Sequence, residues 1–185
     1  MTALTEAARP GMSRRGFTLI EILVVVMILG IAAAMLIPSM GHTADFSTES
    51  VVRQVVADLT FAQSDAMSRQ ASRRVYFDED GLGYRLLQSP FDPVDDIIYD
   101  PIGANGSNEY VVRFGPESRF PSITIEEPLF DGNPYITYDE LGGPIDSDNA
   151  PSAGGSVTLK SKTESFKIEV AAFTGRVIVT DLSEN

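Results

Sequence analysis

The longest apolar run of the chain lies over residues 17–37, where Glu21 is the single ionisable residue. At about 1.5 Å per residue, such a run predicts a helix of roughly 30 Å, which is the hydrocarbon thickness of a bilayer. Arg14 and Arg15 stand just before it, as basic residues do on the cytoplasmic side of a membrane span. The pattern predicts a single-pass transmembrane helix over residues 17–40.

Two alternatives to a membrane span stay open for this apolar run. A core helix of a soluble domain would need a large domain to surround it, and the remaining chain is modest and mostly strand-patterned. A secretory signal usually has an apolar region of about 7–15 residues that ends in small residues. The run here is longer and has an acid near its start.

Helical spacing returns after Pro38, which should kink or end the first helix because it lacks an N–H. Residues 41–47 have the composition of a loose joint, and Ser47 or Thr48 could cap a second helix. Residues 41–73 are predicted as an amphipathic continuation of the helix. Its apolar stripe consists of Val52, Val55, Val56, Leu59, Ala62 and Ala66.

The period then changes to that of short strands. Strand-like runs lie at residues 74–78, 84–88, 110–114, 122–126, 135–138, 156–160, 166–171 and 176–180, with a shorter one at 97–99. Turn residues at 79–83 and 173–175 predict two hairpins, and residues 139–155 have the composition of a surface loop. The predicted fold class is α+β, with a long N-terminal helix packed on short antiparallel sheets and a globular domain over residues 74–185.

The segment Gly16-Phe17-Thr18-Leu19-Ile20-Glu21 resembles the processing motif of the type IV prepilin and pseudopilin superfamily. Basic residues precede Gly16, an aromatic residue follows it, and Glu21 is fifth in the chain that would remain after a cut. The resemblance implies a pilin-like fold and removal of a leader peptide, residues 1–16. Prepilin peptidase would cut between Gly16 and Phe17 and methylate the new amine of Phe17.

Physical chemistry gives each motif residue a role and an alternative. Gly16 offers an unhindered, extended backbone to a protease, although it could merely separate the leader from the helix. A carboxylate costs on the order of 2.5–3.5 kcal/mol at mid-bilayer, so Glu21 needs a partner. The family implies assembly through a pair between Glu21 and the Phe17 amine of a neighbouring subunit; the alternative is the helix dipole alone, at about 0.3–1 kcal/mol. Many pilins have a proline at the position of Pro38, where it loosens the helix.

Residues 61–69 resemble the subfamily of the type II secretion pseudopilin H and FimT, with Gln63 and Asp65 in place of an arginine and a glutamate. This resemblance implies a minor, H-like pseudopilin in the inner membrane, with a periplasmic globular domain and a place in a hetero-oligomeric periplasmic pseudopilus. The implied partners are prepilin peptidase, other pseudopilins or pilins, and the inner-membrane assembly platform. The alternatives are a FimT-like minor pilin that binds DNA during uptake, and a major or minor pilin without DNA binding.

Charge argues against the DNA-binding alternative. The chain has 26 acidic and 14 basic side chains and a formal net charge of −12, which disfavours phosphate contacts. The basic C-terminal motif of FimT falls at Gly175-Arg176-Val177-Ile178, where Ile178 replaces the second arginine. The cations that could still cluster on the last strands are Lys160, Lys162, Lys167 and Arg176.

No pattern in the sequence indicates catalysis. There are no cysteines, which excludes disulfides and thiolate chemistry, and no catalytic triad, P-loop or zinc spacing is present. We therefore expect a structural protein without a cofactor. The one metal alternative is calcium in the loop over residues 139–149, because its acidic side chains supply hard oxygen ligands. The default is a solvated acidic loop; its residues are Asp139, Glu140, Asp146, Asp148 and Asn149.

Overall fold

The computed structural model describes residues 18–36, 43–100, 107–115, 118 and 120–183. The chain divides into two compact units, residues 1–41 and residues 42–185. The first unit contains helix α1, Leu19–Leu36, and the second contains helix α2, Thr43–Arg69, followed by the strands.

Helix α1 has 18 residues with one acidic side chain, Glu21, in its first turn. Its large apolar side chains from Leu19 to Ile31 are exposed, from 46% for Val24 to 84% for Leu19. Among the described residues, the structure has no helix that combines the length and the apolar content needed to cross a membrane. The predicted kink at Pro38 lies outside the described residues.

Helix α2 buries the predicted stripe. Val55, Leu59, Ala62 and Ala66 are each 0% exposed and belong to one hydrophobic cluster with the strands. An apolar side chain at every third or fourth position forms one continuous face, and the sheets cover that face. The periodicity of the sequence therefore located the buried side of this helix.

Both ends of α2 differ from the prediction. The helix begins at Thr43, so the predicted joint over residues 41–47 is wrong for residues 43–47, and Thr48 is buried within the helix instead of capping it. It ends at Arg69 rather than near residue 73, because Gln70 takes a left-handed φ of 50°. The Ala71 N–H then donates to the Ala66 carbonyl at 3.2 Å, which closes the helix end.

Nine strands follow α2 in the described part of the second unit. They are β1 Arg73–Phe77, β2 Gly83–Gln88, β3 Val111–Arg113, β4 Thr124–Phe130, β5 Tyr135–Tyr138, β6 Pro144–Ile145, β7 Gly154–Lys160, β8 Ser165–Ala171 and β9 Val177–Asp181. They form a five-stranded sheet in the order β3-β2-β1-β5-β6 and a four-stranded sheet in the order β4-β7-β8-β9. Every pairing in both sheets is antiparallel.

The core lies where α2 meets both sheets. In β1, alternate residues Val75 and Phe77 are buried while Tyr76 is half-buried, as period-2 strands require. The second sheet contributes Leu159 and Ile168 to the same cluster. This architecture confirms the predicted α+β class, a helix packed on short antiparallel sheets.

The strand predictions hold in position and miss at some boundaries. Both predicted hairpins are present, with Phe77 paired to Tyr84 and Val170 paired to Val177. The run at residues 97–99 forms isolated bridges instead of a strand. The loop predicted over residues 139–155 contains the short strand β6, and β4 continues to Phe130 past an irregularity after Glu126.

Candidate assembly segment and polar clusters of the second unit

Of the four predicted processing and assembly residues, the structure describes Glu21. Gly16, Phe17 and Pro38 lie outside the described residues. The Glu21 N–H donates to the Thr18 carbonyl at 3.1 Å, and the Thr18 Oγ1 lies 3.3 Å from the same nitrogen. Glu21 therefore occupies a first turn, where a carboxylate interacts favourably with the helix dipole.

The Glu21 side chain is exposed on an apolar helix surface. Its neighbours Ile20 and Ile22 are 70% and 52% exposed. Within the described part of the chain, no side-chain hydrogen bond or ion pair reaches its carboxylate. The geometry leaves this acid available to a partner that the described residues do not supply.

In contrast, Asp58 on α2 is buried and satisfied within the second unit. Its Oδ2 accepts from the Tyr84 hydroxyl at 2.6 Å, and its Oδ1 accepts from the Tyr110 hydroxyl at 2.8 Å. Burial raises the pKa of Asp58, and the two tyrosine hydrogen bonds oppose that rise without cancelling it. Burial and the neighbouring Asp58 raise the pKa of Tyr84 well above its ordinary value. The cluster joins α2 to the five-stranded sheet.

Asp65 forms a second buried cluster at the end of α2. Its Oδ2 accepts from Arg73 Nε at 2.6 Å and its Oδ1 accepts from Arg69 Nε at 2.8 Å. Burial would raise the pKa of Asp65, but the hydrogen bonds and charges of the two arginines outweigh it, so the pKa is lowered. The Arg73 side chain is 6% exposed, whereas that of Arg69 is 67% exposed. This pair locks the start of β1 to the helix.

A third cluster ties the first three strands together outside the core. Asp78 Oδ1 accepts from Arg85 at 2.7 Å, and its Oδ2 accepts from Arg113 at 2.8 Å. Arg113 also contacts Asp80 at 2.9 Å. The pKa of Asp80 is lowered by the hydrogen bond from the Leu82 N–H and by Arg113.

Gln63, which stands where the H and FimT subfamily has an arginine, connects two loops. Its Nε2 donates to the Gly142 carbonyl at 2.7 Å and to the Thr174 carbonyl at 3.1 Å. An added Cβ at Gly175 would lie 2.8 Å from that same nitrogen, so Gly175 leaves room for the contact. The position thus has a structural role that its polar character alone did not reveal.

The acidic loop considered as a calcium site uses its carboxylates to hold its own turns. Asp139 Oδ1 accepts from the Leu141 and Gly143 N–H groups at 3.0 and 2.8 Å. Asp146 Oδ1 accepts from two further N–H groups, each at 2.9 Å. In the described ranges, no three acidic or histidine side chains are grouped so that they could hold a metal ion. Calcium binding by the loop over residues 139–149 stays an untested alternative.

Two of the four cations considered for DNA contact are already paired. Lys160 lies 3.3 Å from Glu126, and Lys167 lies 2.9 Å from Glu169. Arg176 is exposed just before β9, and Lys162 is exposed in the turn before β8. Ion pairs with glutamates reduce the positive field that phosphates would meet.

Residues 11–37 match the family model described as the prokaryotic N-terminal methylation motif. This match confirms the type IV pilin-like resemblance of the N-terminal segment, and the roles of Gly16, Phe17 and Glu21 stay predictions. The comparison with curated proteins finds no significant match.

Solved structures provide a weaker likeness. The type IV minor pilin FimU of Pseudomonas aeruginosa is 16% identical, covers 75% of this chain and 91% of its own, and has a TM-score of 0.47. The minor pseudopilin EpsH from the type 2 secretion system of Vibrio cholerae is 11% identical, covers 75% of this chain and 99% of its own, and has a TM-score of 0.45. The resemblance to type IV pilins therefore rests on the N-terminal motif. Structural likenesses at these identities and TM-scores are too weak to support an assignment to a family.

Proposed function

We propose, starting from the type IV pilin-like motif over residues 11–37, that this chain is a minor, H-like pseudopilin of a type II secretion pseudopilus. Residues 17–40 anchor it in the inner membrane, and the second unit faces the periplasm. The subunit performs assembly rather than catalysis. Its partners are other pseudopilins and the inner-membrane assembly platform.

Processing would give the apolar segment a positive charge at its new N-terminus. A cut between Gly16 and Phe17 by prepilin peptidase removes Arg14 and Arg15 and frees the α-amine of Phe17. An α-amine has an unperturbed pKa of about 7.7–8, so it is largely cationic at neutral pH. The N-terminal methylation named in the matched motif keeps a basic nitrogen at that position.

Glu21 is the residue that would bind this cation on a neighbouring subunit. The observation that supports the role is its exposed carboxylate in the first turn of α1, among exposed apolar side chains and without a side-chain partner in the described residues. A buried carboxylate–ammonium pair fixes the register between helices more than it adds stability. Glu21 therefore specifies how one subunit sits against the next.

The secretion assignment has more support than a DNA-uptake role. The chain is strongly acidic, and Lys160 and Lys167 are already in ion pairs with glutamates, which leaves Lys162 and Arg176 as the two of the four considered that have no ion pair among the described residues. The full chain in detergent should bind duplex DNA weakly at low salt and lose that binding at high salt. Tight binding that survives high salt would instead favour the DNA-binding pilin.

The assembly role is tested with two matched glutamates. Glu21→Ala should reduce the share of the subunit in sheared or purified filaments by roughly tenfold or more, because it leaves the Phe17 ammonium of the neighbouring subunit buried without its partner, and each 1.4 kcal/mol of that cost is about tenfold in occupancy. Glu49→Ala removes an exposed acid on α2 that pairs with Arg53 at 3.0 Å, and it should leave incorporation unchanged. Normal incorporation of the Glu21→Ala subunit would remove the assembly role from this carboxylate.

A further inference from the structure

Strand β9 is the outer strand of the four-stranded sheet. It runs from Val177 to Asp181 and pairs with β8 on one side. Among the described strands, none pairs with its other side. A strand in this position presents a row of N–H and C=O groups that can pair with a further strand.

The register determines which residues present that row. The Ala171 N–H donates to the Arg176 carbonyl at 2.9 Å, and the Leu182 N–H donates to the Ser165 carbonyl at 2.8 Å. In an antiparallel pair, residues alternate between facing the partner strand and facing away. Ile178 and Thr180 therefore face β8, and the outward row belongs to Val177, Val179 and Asp181.

The other three sheet edges are protected. Strand β4 has an irregularity between Glu126 and Leu129 that contains Pro128, and the Gly81 carbonyl already accepts from its Ile125 N–H at 2.8 Å. Strand β3 has three residues. Strand β6 has two, one of which is Pro144. Bulges, prolines and short lengths are the usual means of blocking an edge, and β9 has none of them.

The free edge of β9 also exposes apolar side chains. Ile178 is 38% exposed, Val179 is 42% exposed and Leu182, just after the strand, is 48% exposed. The backbone row offers affinity for any extended segment, and the exposed side chains offer selectivity for apolar residues at alternate positions. Both properties specify a strand as the ligand.

Charge decides which strand is favoured. Two copies of this chain would each bring a formal charge of −12, so they repel each other. Asp181 closes the strand, at the end away from the exposed Arg176, with an exposed carboxylate whose Oδ1 accepts from the Ser183 N–H at 2.8 Å, and its negative charge suits a basic residue on the incoming segment. We propose that the outer edge of β9 binds an extended segment of a different protein, with apolar and basic residues in alternation. This goes beyond assembly through residues 17–40 and does not depend on it.

The test uses the full chain in detergent micelles and a short synthetic peptide of alternating valine and lysine. Peptide binding should slow amide hydrogen exchange at Val177, Val179 and Asp181, while amides already bonded to β8 change little. The matched valine–glutamate peptide should bind at least roughly tenfold more weakly, because its charge repels the acidic chain. Equal protection by both peptides would overturn the proposed preference for a basic segment.

Two controls distinguish backbone pairing from non-specific binding to the exposed apolar side chains. Val179→Pro removes one outward N–H without removing a bond to β8 and should abolish protection, whereas the near-isosteric Val179→Thr should retain it. A probe peptide with N-methylated valines tests the same bonds without altering the protein, and it should fail to bind. Binding of that N-methylated probe, or dimers of this chain formed through β9 in place of peptide capture, would overturn the proposal.

Discussion

The two helices of this chain handle their acidic residues in opposite ways. On α1, Glu21 is exposed among exposed apolar side chains and has no side-chain partner within the described residues. On α2, Asp58 and Asp65 are 6% and 8% exposed, and each accepts two side-chain hydrogen bonds. The difference indicates that the buried acids of α2 are satisfied within its own unit, whereas Glu21 of α1 has no such partner among the described residues.

The largest effect should come from breaking the buried ion pair of α2. Arg73→Ala leaves Asp65 buried with only the exposed Arg69 beside it, and we expect a loss of about 3–5 kcal/mol in the free energy of unfolding. Arg69→Ala is the matched control, because its exposed pair contributes about 0–1 kcal/mol. Chemical denaturation of the full chain in detergent measures both. Equal losses from the two variants would show that burial does not distinguish these arginines.

A smaller loss in the free energy of unfolding should follow from removing one of the two tyrosine hydroxyls that donate to Asp58. Tyr84→Phe keeps the buried ring but removes the 2.6 Å hydrogen bond, and a bond to a charged group contributes about 1.5–3 kcal/mol. Tyr76→Phe, on the half-buried outer side of β1, should cost little. The denaturant concentrations at the unfolding midpoints report the difference in stability between the two variants, provided that the unfolding free energy of both depends equally on denaturant. An unchanged midpoint for Tyr84→Phe would mean that Asp58 is satisfied without it.

The contributions of Asp58 and Asp65 to the free energy of unfolding should also depend on pH in opposite directions. The folded-state pKa of Asp58 is raised above 3.8, so its stabilising contribution is present at low pH and is lost as pH rises through the raised pKa. The pKa of Asp65 is lowered below 3.8, so its contribution is present above that value and is lost as pH falls. Comparing wild type with Asp58→Asn, and separately with Asp65→Asn, across acidic pH measures each. If both acids changed the free energy of unfolding with pH in the same direction, the opposite pKa shifts of Asp58 and Asp65 would be contradicted.

The smallest effect on folding should come from α1. Glu21→Ala removes an exposed acid whose only local benefit is the helix dipole, so the second unit should unfold within about 0.5 kcal/mol of wild type. The same variant is expected to fail in assembly, which separates folding from association. A loss of several kcal/mol in unfolding would place Glu21 inside the folded architecture and remove the contrast between the helices.

The sequence predicted what periodicity and local motifs encode. The buried face of α2 followed from apolar residues three and four apart, and the last hairpin followed from two strand-like runs around residues 173–175. The methylation motif is recognisable because Gly16 directly precedes the apolar run and Glu21 interrupts it at a fixed distance. Each of these signals lies within a short window of the chain.

The polar clusters could not be predicted because their partners are distant. Asp58 is 26 residues from Tyr84 and 52 from Tyr110, and only the sheet register brings them together. Asp65 lies off the predicted apolar stripe, which favours a solvent-facing side chain, although Arg69 one turn later is a local hint of an ion pair. Ser47 and Thr48 are good caps and predict a later start for α2, whereas the helix begins at Thr43.

In the proposed function, a single cut between Gly16 and Phe17 converts the N-terminal segment from a membrane anchor into an assembly helix. The intact mass of the chain purified from membranes of cells with active prepilin peptidase tests this most directly. We predict a polypeptide that begins at Phe17 and has one added methyl group. A polypeptide that retains residues 1–16 under the same conditions would show that this cut does not take place.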